Sequence, residues 1–420
     1  MVLGRATVNQ VMDDRIQVTR YYHFISRCAR ISLIALATLV STGCQGGRWG
    51  LFGKYGAQPI RAIWVTRWDY KSPADIARVM DNCKDAGFNT VLFQVRGNGT
   101  VCYPSKIEPW ADEFGGRDPG FDPLAVACKE AHRRGLSLHA WVNVIPGWRG
   151  DKPPSNPRQL FNAHPEWFWH DAAGRRQPLG WYCSMNPCYP EVRKYLVSVM
   201  REIVAKYSVD GLHLDYMRFP NEANDSSGPT VPDYPRDRRT LALFQRATGK
   251  TPDQSPAAWN AWRTEAITQV VRDIRGMIRK VDPKVKLTSA VSASPDEAKR
   301  TYFQDARQWI SEGLVDAVYP MNYDSDMRVY TQRQAVWTSM RPRVPVVTGV
   351  MFDKRDGAKV VAQVDGAART GTHFAAFAYN SLFERTDNRG RPIMDAQSNS
   401  RAALRKKVIP HIRYLATSRV

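Results

Sequence analysis

Many signatures of common protein classes are missing from this 420-residue sequence. Its apolar run at residues 31–40, ISLIALATLV, is too short to span a membrane comfortably. No Gly-x-Gly-x-x-Gly sequence follows the first predicted strand, and no P-loop sequence appears. The sequence also lacks His-x-His and His-Glu-x-x-His spacings, and no second Cys or His pair completes a zinc site around Cys183 and Cys188. We therefore expect neither a nucleotide cofactor nor a metal.

Concentrated positive charge is also missing, although the chain carries 60 Lys and Arg against 40 Asp and Glu. The excess of 20 is spread along the sequence without a long basic run, which argues against nucleic acid as a partner. A cationic exported protein would instead be attracted to anionic envelope polymers or lipid headgroups.

The N-terminus has the layout of an export signal. Arg27 and Arg30 precede the apolar run, and the small residues Ser-Thr-Gly lead to Cys44. We predict a lipoprotein-type signal peptide over residues 1–43, lipidation of Cys44, and a tether over residues 44–58. The chain is then an exported lipoprotein, anchored in the membrane of the cell envelope in the periplasm or at the outer membrane. Simple export without the lipid is the alternative.

From residue 60 onward, apolar strand candidates alternate with amphipathic helix candidates, eight of each. This count predicts a closed (β/α)₈ TIM barrel over residues 59–420, with an open doubly wound sheet as the rival. The predicted strands are 60–68, 90–97, 136–143, 209–219, 284–292, 314–323, 344–352 and 373–381. The predicted helices are 73–87, 122–135, 190–207, 260–281, 301–313, 328–340, 356–371 and 400–416.

Two predicted loops are unusually long, residues 144–189 after the third strand and residues 220–257 after the fourth. Loops of this length in a compact domain tend to be functional or disordered. The first contains the aromatic stretches HPEWFWHD and GWY, so we expect it to be ordered and to form one wall of a cleft. In TIM barrels the loops that follow the strands carry the chemistry.

Alternation of side chains along a strand indicates which residues face the barrel axis. It groups His213 with Asp215 at the end of the fourth strand. Asp215 is expected near the top of the barrel. Burial of an unpaired charge costs free energy, so packing alone does not explain a carboxylate at this position. A salt bridge with Arg218 or Arg96 is the alternative explanation of this carboxylate. The same alternation groups Gln94 with Arg96 on the second strand, and His139 with Trp141 and Asn143 on the third. Asn322, Tyr323 and Asp324 fall at or just past the top of the sixth strand.

Five motifs in order resemble one family. They are RAIWVTRWDY, FQVRGNGTVCYPSKIEPWAD, GFDPLAVACKEAHRRGLSLHAWVN, DGLHLDYMRFP and LVDAVYPMNY. Together they resemble the glycosyl-hydrolase-like family ten, also called domain of unknown function 187. The resemblance implies a (β/α)₈ glycosidase-like fold, a bacterial lipoprotein, and hydrolysis of peptidoglycan strands already stripped of stem peptides. By this resemblance Asp215 matches the family's acidic position, and Gln94, Asp112, His139, Asn143 and Tyr323 lie in matching motifs.

Hydrolysis of a glycosidic bond ordinarily needs two carboxyl groups. We expect Asp215 to be one, with Asp112 as first choice for its partner, followed by Asp324 and Glu384. The expected substrate-binding residues are Gln94, Arg96, His139, Trp141, Asn143, His213, Arg218, Asn322, Tyr323, Trp167 and Trp181. The sequence thus predicts an exported glycoside hydrolase that cleaves an envelope glycan such as peptidoglycan. A non-catalytic glycan-binding barrel and a metal-dependent deacetylase or amidohydrolase remain as alternatives.

Overall fold

The structure is a computed structural model and describes residues 58–220, 234–353, 356–371, 373–387 and 390–417. The predicted signal peptide, Cys44, nearly all of the tether and residues 221–233 of the second long loop lie outside the described residues. Within these ranges, none of the helices combines the length and the apolar character needed to cross a bilayer.

Eight parallel strands close into a barrel, in the order β1-β2-β3-β6-β7-β8-β9-β10 and back to β1. This confirms the predicted fold. The strands are β1 (Arg61–Val65), β2 (Thr90–Arg96), β3 (Ser137–Asn143), β6 (Gly211–Asp215), β7 (Lys286–Ser292), β8 (Ala317–Met321), β9 (Thr348–Met351) and β10 (Phe374–Phe377). Strands β4 (Pro146–Arg149) and β5 (Tyr182–Ser184) form a separate antiparallel hairpin inside the first long loop.

The helices begin where the sequence places capping residues. Ser72 accepts a hydrogen bond from the Asp75 amide, Asp122 accepts one from the Ala125 amide, and proline follows each cap. The helices are α1 (Pro73–Asp85), α2 (Pro123–Arg133), α3 (Leu160–Ala163), α4 (Pro190–Lys206), α5 (Arg238–Thr248), α6 (Pro256–Val281), α7 (Pro295–Tyr302), α8 (Ala306–Ser311), α9 (Met327–Ser339), α10 (Gly357–Gly371) and α11 (Ser398–Thr417). Short 3₁₀ turns cover Asp112–Phe114, Pro165–Trp167 and Tyr379–Ser381.

One predicted helix, residues 301–313, is instead two helices. The chain leaves the helical conformation at Phe303, which has a φ of 55° and ends α7. The break places the buried Gln304 so that its side chain accepts from the Ser292 amide at 2.8 Å and donates to the Met217 carbonyl at 3.2 Å. The side chain thus ties the ends of two strands together, a contact between distant segments that helical periodicity does not reveal.

The barrel interior is packed rather than open. Trp64 donates from Nε1 to His213 Nε2 at 3.1 Å, and His213 Nδ1 lies 2.9 Å from Thr288 Oγ1. His139 fills the level below, where a Cβ on Gly211 would come within 2.5 Å of its ring. Glycine at the start of β6 is therefore required by the imidazole of the neighbouring strand.

The end of β2 is clamped to the end of β3 by a buried ion pair. Arg96 and Glu108 are both fully buried, and Nη2 of the arginine lies 2.6 Å from Oε1 of the glutamate. Arg96 Nη1 also donates to the carbonyls of Asn143, Val144 and Pro146. The guanidinium therefore fixes the point at which the first long loop leaves the barrel.

Removal of one partner of this clamp is expected to destabilise the fold. Arg96→Ala leaves the Glu108 carboxylate buried without its counter-charge, which costs roughly 3–5 kcal/mol. The measurement is the free energy of unfolding from urea denaturation. The matched control is Arg133→Ala, because Arg133 is 63% exposed in its pair with Glu130 and such pairs contribute about 0–1 kcal/mol. Equal losses in the two variants would contradict the role assigned to the clamp.

Candidate active site

Three predicted residues converge at the mouth of the barrel, where strands β2, β3 and β6 end. Asn143 and Asp215 are neighbours in the register of β3 and β6. Gln94 donates from Nε2 to Asn143 Oδ1, and Asn143 donates from Nδ2 to the Tyr182 hydroxyl, both at 3.4 Å. The carboxyl ends of these strands thus carry a connected polar group beneath the β4–β5 hairpin.

Asp215 is held rigidly at this mouth. Its Oδ1 accepts hydrogen bonds from the Tyr216 amide at 2.6 Å and from Arg218 Nη1 at 3.2 Å, and its side chain is 9% exposed. Tyr216 has a φ of 53°, a left-handed conformation that a bulky side chain adopts only when its surroundings impose it. The arginine in turn stacks on the Tyr216 ring, with Cζ 4.2 Å from the ring centroid. The expected ion pair with Arg218 is present, and both contacts fall on one carboxylate oxygen.

The first of three cavities opens beside the residues that hold Asp215. It has a volume of about 820 Å³, and Tyr216 and Arg218 lie on its wall. The hairpin supplies the opposite wall through Tyr182 and Trp181, and the Trp181 side chain is 59% exposed. Tyr323 completes the lining, and its pKa is raised by burial and by the nearby Asp215 charge. An aromatic-rich cavity with a few polar groups suits the mixed surface of a sugar.

One carboxylate in this cavity was not predicted from the sequence. Glu297 lies in the first turn of α7, which follows β7, and it is an exposed residue that lines the same cavity as Tyr216 and Arg218. The sequence SPDE after the seventh strand was the available signal, because it combines a helix cap with an acidic residue at a strand end. The cap itself forms, since Ser294 accepts from the Glu297 amide.

Asp112 lies on the wall of a second cavity of about 290 Å³, together with Glu113, Arg67 and Arg149. Partial burial and the neighbouring Glu113 raise the pKa of Asp112, and Arg67 opposes the shift. Arg67 is itself paired with Glu113 at 2.6 Å. A carboxyl group that keeps its proton to a higher pH than usual suits the role of a general acid.

The remaining predicted carboxylates are engaged elsewhere. Asp324 accepts from Arg333 Nη1 at 3.2 Å with one oxygen and from the Asp326 amide at 2.9 Å with the other. Glu384 pairs with Arg405 at 2.9 Å. Both are therefore committed to structural contacts in this conformation.

Five of the predicted substrate-binding residues do not line the cavities at the mouth: Arg96, His139, His213, Trp141 and Trp167. Arg96 is the fully buried clamp, and His213 and Trp141 are packed inside the barrel. His139 borders a cavity at the opposite, amino-terminal end of the strands. Trp167 stacks on His164, with ring centroids 3.8 Å apart, and packs against Tyr195. For His139, Trp141 and His213 alternation gave the inward face, but it does not give depth along the barrel axis. For Arg96 it failed, because the register shifts between Gln94 and Arg96.

Asn322 follows β8 and is 1% exposed. Its Nδ2 donates to the Tyr330 carbonyl at 2.9 Å, while its Oδ1 has no partner among the described residues. Asn322 therefore ties the end of β8 to α9, and it does not line the cavity.

A third cavity of about 410 Å³ lies beyond Trp68, with Asp69 on its wall. Asp69 is 5% exposed, and its Oδ2 accepts from the Thr66 amide at 2.6 Å and the Thr66 hydroxyl at 2.9 Å. Its Oδ1 is buried and has no partner among the described groups. Burial raises the pKa of Asp69 to about 7, against the lowering effects of Thr66, Arg385 and Arg401.

The three cavities are neighbours that share lining residues. Gly180 borders both the first and the second, and Trp68 borders both the second and the third. Arg149 lies between the aromatic rings at the centre, with Cζ 4.9 Å from the Trp181 centroid and 5.8 Å from the Trp68 centroid. No three His, Cys, Asp or Glu side chains are grouped as a metal site requires in the described ranges. The mouth of the barrel carries these three neighbouring cavities, together called the cleft below, and their lining is rich in aromatic and carboxyl groups.

A closed (β/α)₈ barrel with carboxylates and aromatic rings at its mouth has the architecture of a glycoside hydrolase. Residues 59–359 match the family described as glycosyl hydrolase-like 10, and the chain belongs to that family. This confirms the predicted family, and it confirms the prediction of a glycoside hydrolase at the level of that family.

Named relatives agree with this assignment. The chain is similar to glycosyl hydrolase DigH of Escherichia coli K12, with 27% identity over 64% of this chain and 66% of that protein. It is also similar to glycosyl hydrolase YngK of Bacillus subtilis 168, with 25% identity over 63% of this chain and 54% of that protein. The matches therefore span between about half and two thirds of the relatives' lengths.

Among solved structures, the barrel resembles the glycoside hydrolase domain of PgaB (BpsB) from Bordetella bronchiseptica. The TM-score is 0.59 at 16% identity, covering 84% of this chain and 99% of that domain. The catalytic domain of a β-amylase from Paenibacillus polymyxa gives a TM-score of 0.57 at 10% identity, covering 84% and 98%. At these identities the likeness shows the fold alone.

The pKa of Asp69 predicts a pH-dependent stability. Because the folded state holds this proton up to about pH 7 and the unfolded state releases it near pH 4, folding loses stability as pH rises between those values. Asp69→Asn removes this contribution, so the difference in unfolding free energy between wild type and variant should change by up to roughly 4 kcal/mol across that window. Urea denaturation at a series of pH values measures it. The control is Asp253→Asn, at a carboxylate that is 84% exposed. Parallel curves for wild type and Asp69→Asn would contradict the shift.

Proposed function

We propose that this chain hydrolyses O-glycosidic bonds of a bacterial envelope glycan, with peptidoglycan strands as the substrate. The observation that carries the proposal is Asp215, fixed by Tyr216 and Arg218 beneath an aromatic-walled cavity, with further carboxyl groups along the same cleft. Glycosidases use such a pair, one group protonating the leaving oxygen and the other attacking the anomeric carbon or activating water.

Asp215 is assigned the role of the ionised carboxylate. Its Oδ1 accepts hydrogen bonds from the Tyr216 amide and from Arg218, and these contacts fix that oxygen in place. Two residues can supply the proton donor. Asp112 has the raised pKa that a general acid needs, and Glu297 borders the same cavity as the residues that hold Asp215.

Sugar binding is assigned to the side chains that line the cleft. Trp181, Tyr182 and Tyr323 supply aromatic surface, and the buried Gln94–Asn143 pair holds the Tyr182 hydroxyl from beneath. Aromatic rings beside a few convergent polar groups are the usual composition of a site for a ligand with both apolar faces and hydroxyl groups.

The choice of an envelope glycan rests on the sequence and its relatives. The N-terminal pattern ending at Cys44 would place the chain on a membrane outside the cytoplasm, and a formal charge of +20 favours an anionic polymer as partner. The family resemblance points to strands without stem peptides. DigH and YngK are named as glycosyl hydrolases.

The proposal predicts that Asp215→Asn lowers kcat/KM by about a thousandfold, because loss of a group that acts as base or nucleophile removes the corresponding chemical step. The assay is release of oligosaccharides from denuded peptidoglycan strands by the full-length protein, with β-glucan and chitin in parallel. The control is Asp81→Asn, at a carboxylate that lies on the outer helix α1 and is 57% exposed. Equal release by wild type and Asp215→Asn would remove Asp215 from the mechanism.

A second pair of variants identifies the acid. If Asp112 donates the proton, Asp112→Asn should lower kcat/KM by about a hundredfold or more and abolish the fall in rate at alkaline pH, whereas Glu297→Gln should keep that fall. The opposite result assigns the role to Glu297. Full pH profiles of kcat/KM on the same strands distinguish the two, and intact profiles in both variants would exclude both residues.

A non-catalytic glycan-binding barrel is the second candidate, and one observation favours it. Asp215 is paired with Arg218, and a salt bridge of this kind also occurs in purely structural sites. This candidate predicts saturable binding of the strands by wild type without any release of oligosaccharides.

A further inference from the structure

We propose that the third cavity is an additional sugar-binding subsite of the cleft, which holds a pyranose unit distant from the bond that is cut. The inference rests on the proposed hydrolysis for the identity of the ligand. It assigns a recognition role to residues after β1, β9 and β10, namely Trp68, Asp353, Asn380 and Arg385.

The position of this cavity connects it to the active site. It lies at the same end of the barrel, where β1, β9 and β10 finish, and it shares the Trp68 side chain with the cavity of Asp112. Trp68 is 38% exposed, one of the few large apolar side chains left accessible in the described residues. A chain molecule bound over Asp215 and Asp112 would therefore meet this cavity next.

Its polar side chains are available to a ligand. The Asn380 amide, the Asp353 carboxylate and the Arg385 guanidinium make no hydrogen bond or ion pair with any described residue. The Phe383 ring lies beside them, half-buried against Tyr379 at a centroid distance of 5.0 Å. Uncommitted planar polar groups next to aromatic rings can accept and donate to sugar hydroxyls while an apolar ring face packs against carbon.

The floor of the cavity has an unmet hydrogen-bonding requirement. Asp69 Oδ1 is buried without a partner among the described groups, and such an atom costs free energy until a donor reaches it. A sugar hydroxyl, or a water held beneath a bound sugar, would supply that donor. The volume of about 410 Å³ lies within the usual range of about 300–1,000 Å³ for small-ligand sites.

The charges around the cavity favour an uncharged sugar unit. Arg401 is neutralised by Asp395 at 2.7 Å, and Arg385 faces Asp353 and Asp69 across the same space. Neither sign dominates, so hydroxyl and acetamido groups fit this lining better than a carboxylate does.

The test compares substrates of different length. Denuded peptidoglycan strands are separated into short and long fractions, and kcat and KM are measured for full-length wild type, Asn380→Ala/Arg385→Ala and the control Arg133→Ala. The double variant is expected to raise KM for long strands about tenfold, because it removes hydrogen bonds made by an amide and a charged group. KM for the shortest fraction and kcat for both fractions should stay unchanged. Neither replaced side chain makes a hydrogen bond or an ion pair with a described residue, so we expect the variant to fold, which thermal unfolding checks.

Each result decides the proposal separately from the hydrolase assignment. If wild type cuts strands and the double variant keeps the full preference for long ones, the subsite is excluded while the hydrolase assignment stands. If wild type cuts no strand, the hydrolase assignment fails, and the affinity for the strands then tests the subsite on its own. Tryptophan fluorescence of the same proteins with the long fraction then measures affinity: weaker binding by the double variant supports the subsite, and equal or absent binding excludes it.

Discussion

The cleft depends on the buried contact between Arg96 and Glu108. Arg96 ends β2, and its guanidinium donates to the carbonyls of Asn143, Val144 and Pro146, the three positions at which β3 becomes the first long loop. A planar guanidinium can bind a carboxylate on one side and several carbonyls on the other, which a lysine ammonium cannot match geometrically. The direction of the loop, and with it the β4–β5 hairpin, follows from this contact.

The hairpin in turn determines what faces Asp215. Because β4 begins at Pro146, the antiparallel pairing with β5 brings Tyr182 over Asn143 and leaves Trp181 exposed beside the cavity. Tyr182 then packs against Tyr216, at a centroid distance of 4.9 Å, and so covers the residue whose left-handed conformation orients Asp215. One buried charge pair thus controls the cleft wall and, through aromatic contacts, the geometry at Asp215.

The sequence predicted those features that depend on local pattern. Alternation, apolar character and helix caps gave all eight barrel strands, and the inward faces of β3 and β6 were also correct, since Asn143 and Asp215 meet at the mouth. The depth of a side chain along the barrel axis was not predictable from alternation. His213 has the same parity as Asp215, yet it lies one layer lower, where Trp64 from a strand far away in sequence fills the barrel and pairs with it.

Glu297 and Asp69 were missed for a related reason. Each carries a local structural explanation, as part of a helix start and of a turn, and only the folded chain shows that one borders the main cavity and that the other is buried with an unpaired oxygen. Arg96 is the opposite case. An arginine at a strand end suggested a ligand contact, but Glu108, on the following loop, takes up its charge inside the protein.

The distribution of charge explains how a strongly cationic chain can hold a largely uncharged ligand. Lysine and arginine exceed aspartate and glutamate by 20 in the whole sequence, yet the residues that line the three cavities carry about as many carboxyl groups as guanidinium groups, and no lysine. Most of the excess must therefore lie away from the cleft. Long-range attraction to an anionic polymer acts over roughly 8–10 Å at physiological salt and does not require charges in the binding site. The outer surface can thus attract the polymer, while paired charges and aromatic rings in the cleft recognise individual sugars.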